Sequence, residues 1–150
     1  MSNFFLGSDI KSIAENISNV SSMLERKTVL ITGGSGFLGK YLTEIINYLN
    51  ENYFQEPCYV IVMDNQIISN DFDFEWTEKA NIKLLKHDAI REFKWKKKID
   101  YIIHAAGIAS PYFYRRFPIK TLEVATIGTK NMLDLARQSN ARFIFFSSSE

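Results

Sequence analysis

Three glycines, Gly33, Gly36 and Gly39, stand at intervals of three within Thr32-Gly33-Gly34-Ser35-Gly36-Phe37-Leu38-Gly39. They follow the β-branched run Thr28 to Thr32 and precede Leu38, Leu42, Ile45, Ile46 and Leu49, which recur at helical spacing. Glycines between a strand and a helix suit one chemistry: they let bare backbone approach a phosphate. Gly33 permits a tight turn, Gly36 lets the main chain reach a pyrophosphate, and Gly39 allows close packing of helix on strand. The helix start adds unpaired amides and the positive end of a dipole. No Gly-Lys-Ser/Thr ending follows, which argues against a P-loop.

A carboxylate stands where the next strand should end. Asp64 closes the apolar run Tyr59 to Met63. Taken alone it is a turn residue. Beside the glycines it becomes an acceptor for both hydroxyls of an adenosine ribose. It would repel a 2′-phosphate, and Asn65 and Gln66 supply no compensating cation. These residues point to NAD rather than NADP as the cofactor.

Other reactive side chains are less informative. His87 and His104 are not spaced as metal ligands with other donors, so no metal site is expected. His104 reads as a packed residue rather than a base. Cys58 is the single cysteine and borders an apolar strand, which suits a small buried hydrophobe. No intrachain disulfide can form, which fits a reducing compartment and a cytoplasmic location.

The elements that must position these groups alternate. Residues 8–25 read as a helix capped by Ser8 or Asp9, with Ile10, Ile13, Ile17, Val20 and Leu24 in one stripe. This amphipathic extension, 1–26, packs either on its own domain or on a second subunit. Strands are expected at 28–32, 59–63, 82–87, 99–105 and 142–147, and a helix at 36–50. Residues 65–80 read as a loop or short helix, and 106–118, with Gly107, Pro111 and Pro118, as a loop. A further helix runs from Pro118 to about Ser139, with Leu122, Ala125, Thr129, Met132, Leu133 and Ala136 on one face. The fold class is therefore α/β: a Rossmann-type, doubly wound parallel sheet with an added N-terminal helix. Residues 27–150 form the NAD-binding domain.

The chain has 150 residues, 46% hydrophobic and 23% charged, with a formal net charge of +1. That allows one domain with a sizeable core and gives no global field toward nucleic acid or an anionic membrane. Lys94 to Lys98 is a local basic run and reads as a solvated turn. No apolar run approaches the roughly 18 residues of a membrane span, and the N-terminus lacks the features of a secretory signal.

From about Lys27 to Glu150 the sequence resembles the extended short-chain dehydrogenase/reductase family, to which the NAD-dependent epimerases and dehydratases belong. The resemblance rests on the Thr-Gly-X-X-Gly-Phe-Leu-Gly form, on His87-Asp88-Ala89, on His104-Ala105-Ala106 and on Ser147-Ser148-Ser149-Glu150. Within the family the likeness is strongest to UDP-glucuronate decarboxylases. It lies in Asp64-Asn65, Ala109-Ser110-Pro111, Tyr114, Pro118-Ile119-Lys120-Thr121, Thr126-Ile127-Gly128-Thr129, Asn131-Met132-Leu133 and Ala141-Arg142-Phe143. These stretches do not separate decarboxylases cleanly from related dehydratases and epimerases.

The resemblance implies a cofactor site built from Gly33, Gly36, Phe37, Leu38, Gly39, Asp64, Asn65, Asp88, Ala89, Ala105 and Ala106, with Asp88 toward adenine. It implies that Ser148 hydrogen-bonds the reacting sugar oxygen and that Glu150 assists decarboxylation. Lys120 is either a solvated helix residue or a substrate ligand, and Tyr114 either covers the sheet edge or lines the sugar site. The implied reaction oxidises a nucleotide sugar at C4, UDP-glucuronate being the first candidate. The C6 carboxylate is then a β-keto acid, loses carbon dioxide, and the ketone is reduced again.

Two departures stand out. Ala125 occupies the position where the family usually has Asn. The family's Tyr-X-X-X-Lys acid/base pair does not occur between residues 1 and 150, nor does its sugar-binding part, so 27–150 is expected to be the N-terminal part only of the Rossmann domain and inactive alone, and the complete protein is expected to be a homodimer. A stand-alone NAD-binding or assembly module without catalysis is the alternative from another class.

Overall fold

The computed structural model describes residues 7–67 and 79–147. Its centre is a five-stranded parallel sheet in the order β3-β2-β1-β4-β5. The strands are β1 (Thr28–Thr32), β2 (Tyr59–Asp64), β3 (Ile82–Lys86), β4 (Tyr101–His104) and β5 (Arg142–Phe145). The order reverses at β1, so the carboxyl ends of β1 and β4 flank a crevice, the place where open α/β sheets bind ligands. All five expected strands are present and parallel. The third, fourth and fifth are shorter than the apolar runs that announced them.

Both faces of the sheet are covered, which is why β1 and β2 are nearly continuous in apolar residues. One core unites Val29, Ile31, Val60 and Val62 with Ile46 of α2 (Phe37–Asn52). The other unites Leu30, Ile61, Met63 and Ile102 with Met132, Leu135 and Ala136 of α5 (Thr129–Ser139). Cys58 is fully buried in the first core, and desolvation pushes its thiol up to about 12. It is therefore a packing residue and not a nucleophile. Lys94, Lys96, Lys97 and Lys98 of the basic run are exposed, and Lys98 pairs with Asp100 at 2.8 Å.

Three expectations need correction. The N-terminal helix α1 (Gly7–Ser21) packs on α2; of the expected stripe Ile10 is buried and Ile17 half-buried, whereas Ile13 and Val20 are 38% and 54% exposed and Ala14 and Ser21 are buried instead. Close helix packing selects the row that includes the small Ala14, and the larger neighbours at 13 and 20 fall to its side. Residues 106–118 are not all loop: Ser110 is extended, Pro111 opens the short helix α3 (Pro111–Arg116), and the Ser110 carbonyl accepts the Phe113 and Tyr114 amides. A proline at the first helical position starts a helix as readily as it breaks one.

The long helix from Pro118 is interrupted. It runs as α4 (Pro118–Glu123), a π-turn (Val124–Gly128) and then α5. The wider turn shifts the inward frame by one residue. Thr121, Val124 and Gly128 face inward, whereas Leu122, Ala125 and Leu133 are exposed. The expected stripe through 122 and 125 is thus out of phase with the real one. Of the expected segment 65–80, residues 68–78 lie outside the described residues. No described helix is long and apolar enough to cross a membrane.

Candidate functional site

The glycine turn is shaped by what surrounds it. Gly33 takes φ +68°, and a Cβ there would stand 2.7 Å from the Ala105 carbonyl oxygen. A side chain is excluded twice, by conformation and by the neighbouring strand. A Cβ on Gly39 would lie 2.3 Å from the Gly33 oxygen, so this glycine seats the helix against the turn. Gly34 had no role in the spacing argument, yet a Cβ there would meet Val62 Cγ1 at 2.3 Å. Nothing in the glycine spacing reveals that contact, because Val62 lies on another strand.

Hydrogen bonds then fix the turn to β2. The Gly34 amide donates to the Met63 carbonyl at 3.2 Å, and the Gly36 amide to the Gly33 carbonyl at 3.0 Å. The Ser35 amide donates to Asp64 Oδ2 at 3.0 Å and the Gln66 amide to Oδ1 at 2.7 Å. Asp64 therefore positions the glycine turn as well as standing ready for a ligand. Each carboxylate oxygen keeps a second lone pair for a hydroxyl. Gly36 precedes α2 without a side-chain cap, so the first amides of that helix have no intrahelical acceptor.

A cavity of about 520 Å³ opens at the crevice. Gly33, Ser35, Gly36 and Phe37 form one wall and Asp64 with Asn65 another. Asp88 and Ala89 close one end, and Ala105 through Ser110 the side nearest β4. Lys120 and Val124 reach it from the helix beyond. Of the residues that sequence singled out, Gly39 lies beneath the turn, and Leu38 faces a separate groove against α1 with Ile13. Tyr114 does not line the cavity. Ser148 and Glu150 lie outside the described residues. Thr32, His87 and Val124 line the cavity and were not singled out for it. Val124 in particular is brought in by the π-turn, which the sequence spacing does not disclose.

The second helical unit braces the far wall. Asn131 Nδ2 donates to the Ala89 carbonyl at 2.9 Å, and Gly128 sits against Ala89. Ala89 is buried, and Asp88 caps the bend by accepting the Ile90 amide at 3.2 Å. Strand β4 ends in His104, fully buried beneath the cavity, and desolvation lowers its pKa to about 4.

The cavity fits an elongated ligand with a phosphate-bearing middle. Bare backbone meets it at the glycines, a carboxylate suited to a diol stands to one side, and its described lining brings one cation, Lys120. The model of the NAD dependent epimerase/dehydratase family matches residues 29–150. The chain belongs to this family. Its cofactor, NAD, is the one that the glycine turn and Asp64 had indicated, and the observed sheet is the Rossmann-like α/β fold. UDP-glucuronic acid decarboxylase 1 of Danio rerio is 39% identical over 127 residues, which are 84% of this chain and 28% of that protein. The chain thus spans less than a third of that relative. An epimerase from Methanothermobacter thermautotrophicus superposes with a TM-score of 0.70 at 27% identity, covering 89% of this chain and 38% of that one. UDP-glucose 4-epimerase from Bifidobacterium longum, solved with NAD+ and UDP, gives 0.60 at 26% identity over 82% of this chain and 37% of that one.

Proposed function

We propose that this chain is the cofactor-binding part of an enzyme that oxidises a nucleotide sugar at C4 in the course of UDP-glucuronate decarboxylation. The cavity carries the proposal, because it joins the glycine turn, Asp64 and the Ala105–Ser110 wall in one crevice. The likeness to UDP-glucuronic acid decarboxylases supports the choice of reaction. Gly33 and Gly36 would admit the pyrophosphate to the backbone. Asp64 would accept the adenosine ribose hydroxyls, and Asn65, Asp88 and Ala89 would enclose the adenine. Ala105 and Ala106 would keep the nicotinamide side close to β4.

When bound, NAD would accept hydrogen from the sugar C4 and return it. The chain's own residues would orient the two reactants. Ser148 follows β5 and would hold the C4 oxygen, and Glu150 would assist loss of the C6 carboxylate. Lys120 lines the cavity, 5.5 Å from the Phe117 ring centre, and would meet a phosphate or carboxylate of the substrate. Tyr114, on α3 and outside the cavity lining, would contact the sugar. The proton transfer needs a Tyr-X-X-X-Lys pair that these 150 residues do not contain, so the chain alone would not turn over. General acid–base help is worth roughly 10²–10⁴-fold.

Residues 1–26 would then be an added helical layer on the domain 27–150. Exposed Tyr112, Ile119, Leu122, Ile127 and Leu133 support a homodimer through the helices that carry them. The single buried cysteine suits a cytoplasmic setting. The test incubates the full-length protein with NAD and UDP-glucuronate and follows carbon dioxide and UDP-xylose. Turnover of a neutral hexose nucleotide instead would move the assignment to a dehydratase or epimerase. Product from residues 1–150 alone would refute the need for the missing pair.

A further inference from the structure

Among the described residues, His104 is a fully buried titratable side chain that borders the cavity without lining it. It pairs in register with Thr32 across β1 and β4. Both side chains emerge on the same face of the sheet, one at the end of each strand that flanks the crevice. Thr32 Oγ1 and His104 Nδ1 are 2.6 Å apart, and the Ala106 amide donates to the same hydroxyl oxygen at 3.2 Å. One threonine hydroxyl therefore ties the residue before the glycine turn to both the strand and the wall opposite.

Proton accounting is consistent with Thr32 as the donor to His104. Thr32 Oγ1 accepts from the Ala106 amide and still has one proton to give. His104 Nδ1 is an acceptor only if the ring is neutral with its proton on Nε2. The surroundings favour that form. The ring is buried, stacks on Phe145 at 5.6 Å between centres, and feels no carboxylate among the described residues. Among the described residues its Nε2 has no well-formed hydrogen bond, and the polar group beside the ring other than Thr32 is the Val124 backbone at the start of the π-turn, an acceptor that suits a proton on Nε2.

We propose that Thr32 and His104 form a positioning pair, in which neutral His104 accepts the Thr32 hydroxyl proton and thereby sets the gap between the glycine turn and the Ala105–Ala106 wall. That gap is narrow. A Cβ on Gly33 would stand 2.7 Å from both the Ala105 oxygen and the Ala106 Cα. A small rotation of either strand end would change the room left for a dinucleotide. The proposal rests on the cofactor reading given above.

The test compares four substitutions in the full-length protein by calorimetry with NAD. Thr32→Val and His104→Phe keep shape but remove the bond. Thr32→Ser keeps the hydroxyl, and His104→Asn keeps an acceptor near the Nδ1 position. Loss of one neutral hydrogen bond should weaken NAD about five- to tenfold in the first two, with the second two close to wild type. Thr32→Val combined with His104→Phe should lose no more than either alone, since the two act through one bond. Nitrogen NMR of the unsubstituted protein should show His104 with its proton on Nε2, a readout independent of how well the variants fold. Equal affinities for His104→Phe and His104→Asn, or a ring protonated on Nδ1, would overturn the pair. A wild-type protein that binds no dinucleotide would instead overturn the cofactor reading itself.

Discussion

Asp64 shows how one side chain serves structure and recognition together. Its two oxygens already hold the Ser35 and Gln66 amides, so its removal should loosen the turn and the ligand at once. Asp64→Ala is expected to weaken NAD by about 1–3 kcal/mol, the scale of hydrogen bonds to a charged group. The wild-type protein should prefer NAD to NADP in the same calorimetry, and equal affinity for both would remove Asp64 from the specificity argument. Gly34 makes a sharper case, because Val62 Cγ1 fills the space where a side chain would begin. Gly34→Ala should lower the melting temperature of the domain, with overpacking costs of about 1–3 kcal/mol.

At the scale of elements, the N-terminal helix offers a direct contrast. Ala14 is fully buried on a helix that packs on α2, whereas Val20 is half exposed. Ala14→Asp should destabilise the protein strongly, because it buries a charge without a partner. Val20→Asp should change stability by no more than about 0.5 kcal/mol. Thermal melts of the two variants distinguish a packed helix from an appended one. The end of α5 offers a second contrast. Asn140 closes it at φ +51°, in the left-handed region. Asn140→Ala should cost about 1–2 kcal/mol, while Asn140→Gly should be tolerated. Equal effects of the two would deny that backbone conformation sets the cost.

For the molecule as a whole, His104 links stability to pH. Its folded pKa is about 4 against an ordinary 6.5, chiefly through burial. Between those values the unfolded chain takes up a proton that the folded protein refuses. Stability should therefore be fully present above about pH 6.5 and fall as the pH drops toward 4. His104→Asn removes the titration, so its melting temperature should decline less between pH 7 and pH 5 than that of the wild type. Identical declines would show that other groups govern the acid limb.

The sequence by itself determined the alternation of strands and helices, the glycine turn and the carboxylate after β2. Each of these is local: β-branched runs, a helical period and glycines near one another in the chain are legible without partners. It also determined the choice of NAD, because Asp64 lacks a neighbouring cation in its own segment. Only the tertiary structure decided which face of α1 is buried, since the small Ala14 gains its meaning from α2. Only the tertiary structure showed the π-turn, which shifts Leu122 outward and Val124 inward and sets Gly128 against Ala89. The hydroxyl of Thr32 and the ring of His104 stand 72 residues apart in the chain. Their meeting depends on two strands pairing in parallel, and no property of either segment alone encodes it.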